Sequence, residues 1–166
     1  MSDRPLWAPW RIEYIRGPKP EECIFCAAGR SDDDAAHGVV HRGRRCLVMV
    51  NAFPYAPGHL MVAPHRHVPG LEELEPPELA ELSDLTVRAL RTLRTVMTPD
   101  GFNVGINIGD VAGAGFADHV HQHVVPRWQG DTNFMPVIAD THVIPQALED
   151  TRAELARAFA GAPDLD

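Results

Sequence analysis

Apolar residues along this chain change their spacing several times, and each change predicts an element. Cys46 to Asn51 (CLVMVN) is almost unbroken in its apolarity, as in a strand buried on both faces. Phe53 to Gly58 (FPYAPG) carries the prolines and glycine of a turn, and His59 to Ala63 (HLMVA) reads as the returning strand of a hairpin. Over Pro76 to Met97 the interval becomes three or four: Leu79, Leu82, Leu85, Ala89, Leu93 and Val96 form the stripe of one long helix. Pro76 and Pro77 suit its first turn, and Thr98-Pro99-Asp100-Gly101 stops it. Phe102, Val104, Ile106 and Ile108 then alternate with small or polar residues, which is strand period. Gly109 to Gly115 (GDVAGAG) is a loop. His119 to Val125 alternates again and ends at Pro126, and a last helix spans roughly Pro145 to Phe159. Residues 1 to 37 hold prolines, a cysteine pair and the run Asp32-Asp33-Asp34, and read as an irregular segment with that run in a solvated loop. Strands in hairpins with helices grouped apart predict an α+β domain on an antiparallel sheet.

Composition narrows the class. A chain of 166 residues with 45% hydrophobic content suits one compact domain over residues 1–166, with no internal repeat or low-complexity linker. No run of about 18 apolar residues exists, so neither a membrane-spanning helix nor a membrane partner is expected. The first residues carry charge without an apolar core, so no secretory signal is expected and the cytoplasm is the default compartment. The net charge of -8, from 23 acidic and 15 basic residues, argues against a nucleic acid polymer as partner. A small phosphorylated ligand remains open, because backbone N–H groups and a few side chains can hold one whatever the global charge. The one basic cluster, His41-Arg42-Gly43-Arg44-Arg45, reads as a solvated hairpin turn. Three cysteines do not make a disulfide framework. Two of them, in Cys23-Ile24-Phe25-Cys26, could be half of a zinc site, a redox pair or two core cysteines. Redox pairs of this spacing usually open a helix after a strand, a context not visible here. Cys46, on a buried strand, is most simply a small core residue.

The strongest chemical signal is the run HVHQHVV, residues 119 to 125. On a strand, His119, His121 and His123 share one face, with Cα atoms about 6.6 Å apart per step, while Val120, Gln122 and Val124 face the other way. Three imidazoles in a row suit a core poorly, since each unpaired buried ring nitrogen costs about 1–3 kcal/mol. Two readings compete. The row could bind a catalytic metal, or the middle ring could be a nucleophile oriented by its neighbours, since a neutral imidazole is nucleophilic without deprotonation and forms a labile phosphoramidate. Spacing alone does not choose between them.

The run resembles the histidine-triad (HIT) pattern, His-φ-His-φ-His-φ-φ, with Gln122 where the family has an apolar residue. The likeness extends to NAFPYAPGH (51 to 59) with LMVAP after it, to NVGINIG (103 to 109) followed by AGAG, and to Pro126-Arg127-Trp128. Leu6-Trp7-Ala8-Pro9-Trp10-Arg11, Gly130-Asp131-Thr132-Asn133-Phe134 and Val143-Ile144-Pro145-Gln146 resemble a bacterial branch that includes diadenosine tetraphosphate phosphorylases. The resemblance favours the nucleophile and implies a five-stranded antiparallel sheet per chain with a long helix and a C-terminal helix. It implies a nucleotidyl hydrolase or transferase that cleaves dinucleoside polyphosphates at the α-phosphate, with water or phosphate as acceptor and no organic cofactor. It also implies a homodimer.

By the same resemblance, His121 is the nucleophile, His123 a partner of the leaving group or phosphate oxygens, and His59 a supporting histidine. Asn51 matches a ribose-binding position, and Asn107 a polar residue near the α-phosphate. Gly113 and Gly115 belong to the loop that would approach phosphate. For each asparagine, an ordinary hydrogen bond to local backbone is the alternative. In zinc-bearing relatives the cysteine pair joins a histidine after the second hairpin strand and the first triad histidine, here Cys23, Cys26, His67 and His119, with His65 as the rival to His67. Such a site would be structural. One departure stands out: many members carry Gln or a hydroxyl residue four before the first triad histidine, where this chain has Gly115. That weakens phosphorolysis relative to hydrolysis. It also leaves open a nucleotide-binding regulatory protein with little turnover, or a hydrolase of adenosine phosphoramidate or adenylylsulfate. Trp7, Trp10 and Trp128 could frame a base or pack a partner.

Overall fold

The structure, a computed structural model, describes residues 22–131 and 147–162. Trp7, Trp10 and the motif residues 6–11, 132–134 and 143–146 lie outside the described residues.

Strands β1 (Val39–Arg42), β2 (Cys46–Val50), β3 (Leu60–Pro64), β4 (Gly101–Ile106) and β5 (Gln122–Arg127) form one antiparallel sheet in the order β1-β2-β3-β5-β4. Helices α1 (Ile24–Arg30), α2 (Pro76–Met97) and α3 (Leu148–Gly161) pack against it, with short 3-10 turns at Leu71–Glu73 and Asp110–Ala112. This is the α+β architecture expected, with the long helix at the expected bounds.

The unbroken apolar runs of β2 and β3 have a direct cause: both faces of the sheet are covered. Cys46, Val48, Val50, Leu60 and Val62 join Leu82, Leu85, Ala89 and Leu93 of α2 and Leu155 and Phe159 of α3 in one core. The alternate residues Leu47, Met49, Met61 and Ala63 turn to the other face, where Val39 of β1 lies beside them and Phe25 and Ala28 of α1 cover them. At about 1.5–3 kcal/mol per fully buried large apolar side chain, these two clusters supply most of the drive to fold. Between β2 and β3 the chain reverses through Gly58, at φ 74°, where a Cβ would stand 2.5 Å from Met97 Sδ. A side chain there would be strained at that φ and would have to displace Met97, so glycine suits the position.

Four expectations need correction. The first 37 residues are not wholly irregular, because α1 lies within them; a seven-residue helix is too short for a period to show, and it is held by burial of Phe25 and Ala28. The basic cluster is a turn only at Gly43 to Arg45. His41 and Arg42 belong to β1, an unforeseen strand. Nor is Arg42 merely solvated: it donates to the carbonyls of Ala28 (2.9 Å) and Ser31 (2.6 Å) and pairs with Asp34. Leu79, placed on the helix stripe, is 38% exposed, while Glu78 is buried. Finally, β5 starts at Gln122, not His119, because Val120 N–H donates to the Val68 carbonyl (2.7 Å) outside the sheet.

Candidate active site

The three triad histidines keep to one side even though only His123 lies on the regular strand. Val120 and Val124 enter the core under α2, and the Gln122 amide donates to Thr86 Oγ1 of α2 at 3.0 Å. Thr86 in turn donates to the Leu82 carbonyl at 2.7 Å, so a polar Gln122 is accommodated where the family pattern has an apolar residue. His119 and His121 turn instead toward Phe25 of α1, and His123 meets His59 and Tyr55.

Hydrogen bonds assign each ring a tautomer. His119, fully buried, has its Nε2 2.9 Å from the Pro64 carbonyl, which can only accept. Its proton therefore sits on Nε2, and Nδ1 presents a lone pair. That Nδ1 lies 3.3 Å from Cys23 Sγ, 3.6 Å from Cys26 Sγ and 3.2 Å from His67 Nδ1, and Cys26 Sγ is 3.3 Å from His67 Nδ1. Bond lengths at tetrahedral zinc imply edges of about 3.3–3.8 Å between such atoms. All four ligand atoms lie within 4.8 Å of one another. The donor set of two thiols and two imidazoles therefore fits a closed, four-coordinate metal. His65 is engaged elsewhere, with Nε2 3.1 Å from the Gly43 carbonyl. Burial pulls the His119 pKa down to about 4, which keeps its ring neutral as a metal ligand requires. Burial, then the neighbouring Cys23, pushes the Cys26 thiol up.

His121 is 3% exposed and takes the opposite tautomer. Its Nδ1 donates to the His119 carbonyl at 2.8 Å, so Nε2 holds the lone pair, and burial lowers its pKa and favours the neutral ring. A chain of donors fixes the third ring. Tyr55 N–H donates to His59 Nδ1 at 3.1 Å; His59 Nε2–H then donates to His123 Nδ1 at 3.0 Å, which leaves the His123 proton on Nε2. His121 and His123 meet edge to face with centroids 4.8 Å apart. A lone pair and a donor thus stand side by side, as attack on a phosphate requires. Of the triad only His119 joins the Cys/His group, so the row does not act as three ligands to one metal.

The remaining sequence candidates have local partners. Asn51 Oδ1 accepts from Phe53 N–H at 2.9 Å, closing the turn before β3. Asn107 Nδ2 reaches the Gly113 carbonyl at 3.5 Å. Gly113, at φ 84°, spends its N–H on the Asp110 carbonyl at 2.9 Å. Gly115 is half-buried in the loop leading to His119. Trp128 is half-buried beyond β5, beside the Arg127–Asp131 ion pair. Two participants escaped the sequence reading. Tyr55 stacks on His59 with centroids 5.1 Å apart, and Phe25 lies against His119 and His121. Both sit inside motifs already singled out, but spacing does not reveal which ring a side chain meets.

The HIT domain family matches residues 34–130. The chain belongs to the HIT domain family. Among HIT relatives, "AP-4-A phosphorylase" of Mycobacterium tuberculosis is 44% identical over 168 residues, covering 95% of this chain and 85% of the relative. The "Bis(5'-nucleosyl)-tetraphosphatase [asymmetrical]" of Schizosaccharomyces pombe is 31% identical over 121 residues, 73% of this chain and 63% of that protein. A zinc-bound histidine triad family protein from Mycobacterium smegmatis superposes with TM-score 0.68 at 29% identity, covering 84% of this chain and 94% of that one.

Proposed function

We propose that this HIT protein is an enzyme that cleaves dinucleoside polyphosphates at the α-phosphate through a nucleotidyl-histidine intermediate. The carrying observation is the tautomer of His121: with Nδ1–H given to the His119 carbonyl, Nε2 is the nucleophilic atom. Its lone pair attacks phosphorus, and the bond to the bridging oxygen breaks with its electrons leaving on the polyphosphate. Water or inorganic phosphate then takes the nucleotidyl group and frees Nε2. His123, kept a donor at Nε2 by His59, stabilises charge on the phosphate or leaving oxygen. Asn51 and Asn107 contact the nucleoside and the α-phosphate, and Gly113 and Gly115 shape the loop beside it. Both asparagine contacts exchange a local hydrogen bond for a ligand. The names of the two curated relatives support the substrate class.

Cys23, Cys26, His67 and His119 would hold a structural zinc ion, whose role is to bind two thiolates and join α1 to the triad segment. The proposed assembly is a cytoplasmic homodimer paired through β4 and α2. Support comes from β4 lying at the sheet edge with Val104 46% exposed, and from Leu79 and Val87 exposed on α2.

The test uses diadenosine tetraphosphate with and without phosphate. Products should be ATP with AMP in water, or ATP with ADP when phosphate accepts, and acid quenching should trap labelled adenylyl at His121. His121→Ala should lower turnover by at least about 10³-fold, the scale on which removing a nucleophile acts. Turnover undiminished in that variant refutes the mechanism.

A further inference from the structure

Phe25 lies between the two cysteines of the Cys/His group and is 1% exposed. Its ring centroid stands 4.8 Å from that of His121, with the planes tilted by 35°, and 5.0 Å from that of His119, tilted by 45°. Phe116 closes against it edge-on, centroids 6.0 Å apart. We propose that Phe25 is a positioning residue for His121, holding that ring against the His119 carbonyl and stabilising the positive charge the ring gains during nucleotidyl transfer. This rests on the reading of His121 as the nucleophile.

The charge follows from the balance of the step. The Nε2–P bond forms, the P–O bond to the polyphosphate breaks, and the electron pair leaves with that oxygen. The Nδ1 proton stays, because it is already donated to the His119 carbonyl. A ring that enters neutral therefore becomes a cation bonded to phosphorus. The negative face of an aromatic ring attracts a cation lying within about 6 Å of its centroid, most strongly where water is excluded. The neutral ring of the resting enzyme gains little from that face. The interaction grows along the reaction coordinate, so it raises kcat and leaves KM alone. An aliphatic side chain would fill the same space without supplying the field. The location also gives the metal group a second task. A metal held there would bind Cys23 and Cys26 on either side of Phe25 and so fix the ring, and would also hold His119, whose carbonyl orients His121.

The experiment replaces Phe25 in the full chain by mono-, di- and trifluorophenylalanine, which weaken the ring's negative face at nearly constant size, alongside Phe25→Leu. The rate of adenylyl-His121 formation from diadenosine tetraphosphate is followed in a single turnover. Expected is a stepwise fall with fluorine number, reaching about 2- to 30-fold, at unchanged KM, melting temperature and zinc per chain. Phe25→Leu should fall at the end of that range. A rate flat across the series overturns the proposal, as does a loss that tracks zinc content or KM. If the wild-type enzyme forms no adenylyl-His121, the nucleophile reading itself fails, an outcome separate from a flat series on an enzyme that does.

Discussion

Glu78 shows how much one side chain can hold. It stands in the first turn of α2, buried, and its carboxylate accepts Arg66 Nε–H at 2.9 Å, Arg66 Nη2–H at 2.7 Å and Glu75 N–H at 2.8 Å. The Arg66 hydrogen bonds, aided by that of Glu75, hold its pKa down to about 2 against the cost of burial. A carboxylate with a depressed folded-state pKa stabilises the fold above its ordinary pKa near 4.5, and that stability is lost as pH falls through about 2. Arg66 is nearly half exposed, so Glu78→Gln should cost only about 1–2 kcal/mol at pH 7. Urea unfolding of both proteins should show the gap narrowing between pH 4.5 and 2; a gap constant with pH contradicts the ion pair. Cys46 marks the contrary case: burial, with Glu81 and Glu78 nearby, pushes its thiol up to about 12, so it behaves as an inert core residue.

Among the elements, α1 depends most on its tether. It has seven residues, too few to persist alone, and Phe25 and Ala28 are its only fully buried side chains. A metal on Cys23, Cys26, His67 and His119 would tie its start to the segment entering β5. Cys26→Ser should abolish zinc retention and raise amide hydrogen exchange over residues 24–30 at least about tenfold, roughly 1.4 kcal/mol of local stability. The α2 amides should stay protected. Exchange unchanged in α1 would show that packing alone holds it. The long helix needs no such tether, since Leu82, Leu85, Ala89 and Leu93 bury a full stripe and a left-handed Thr98 at φ 47° ends it.

For the whole molecule, the order β1-β2-β3-β5-β4 places the triad next to the central hairpin and leaves β4 at an edge. An exposed edge strand offers unpaired backbone groups to another chain unless charge or cover prevents it. Asn103, Val104 and Gly105 are exposed and uncharged. Val104→Lys, which places a charge on that edge, should convert the proposed dimer to monomer at micromolar concentration by sedimentation, with the melting curve of each chain otherwise preserved. A wild-type protein that sediments as a monomer at the same concentration refutes the pairing.

Periodicity in the sequence was enough for β2, β3 and α2, because each buries a regular set of positions and burial leaves a regular trace; the alternation over β4 located a strand too, although none of its residues is fully buried and Val104 is exposed. It was not enough for α1 and β1, at seven and four residues, whose stability comes from contacts with distant parts of the chain. The triad's two-residue spacing put the imidazoles on one side and the valines on the other, and that alternation survived although the strand proper begins only at Gln122. Chemistry differed in how far it could be read. Residue types and spacing identified which nitrogens and sulfurs were available. Which atom carries a proton depends on the backbone group that folding sets against each ring: the Pro64 carbonyl for His119, the His119 carbonyl for His121, and the Tyr55 N–H acting through His59 for His123. The same holds for His67 over His65, two residues apart and alike in composition, one turned to the cysteines and the other to Gly43. A linear chain records what each side chain can do; only packing in three dimensions sets the neighbours that select one tautomer, one ligand and one partner.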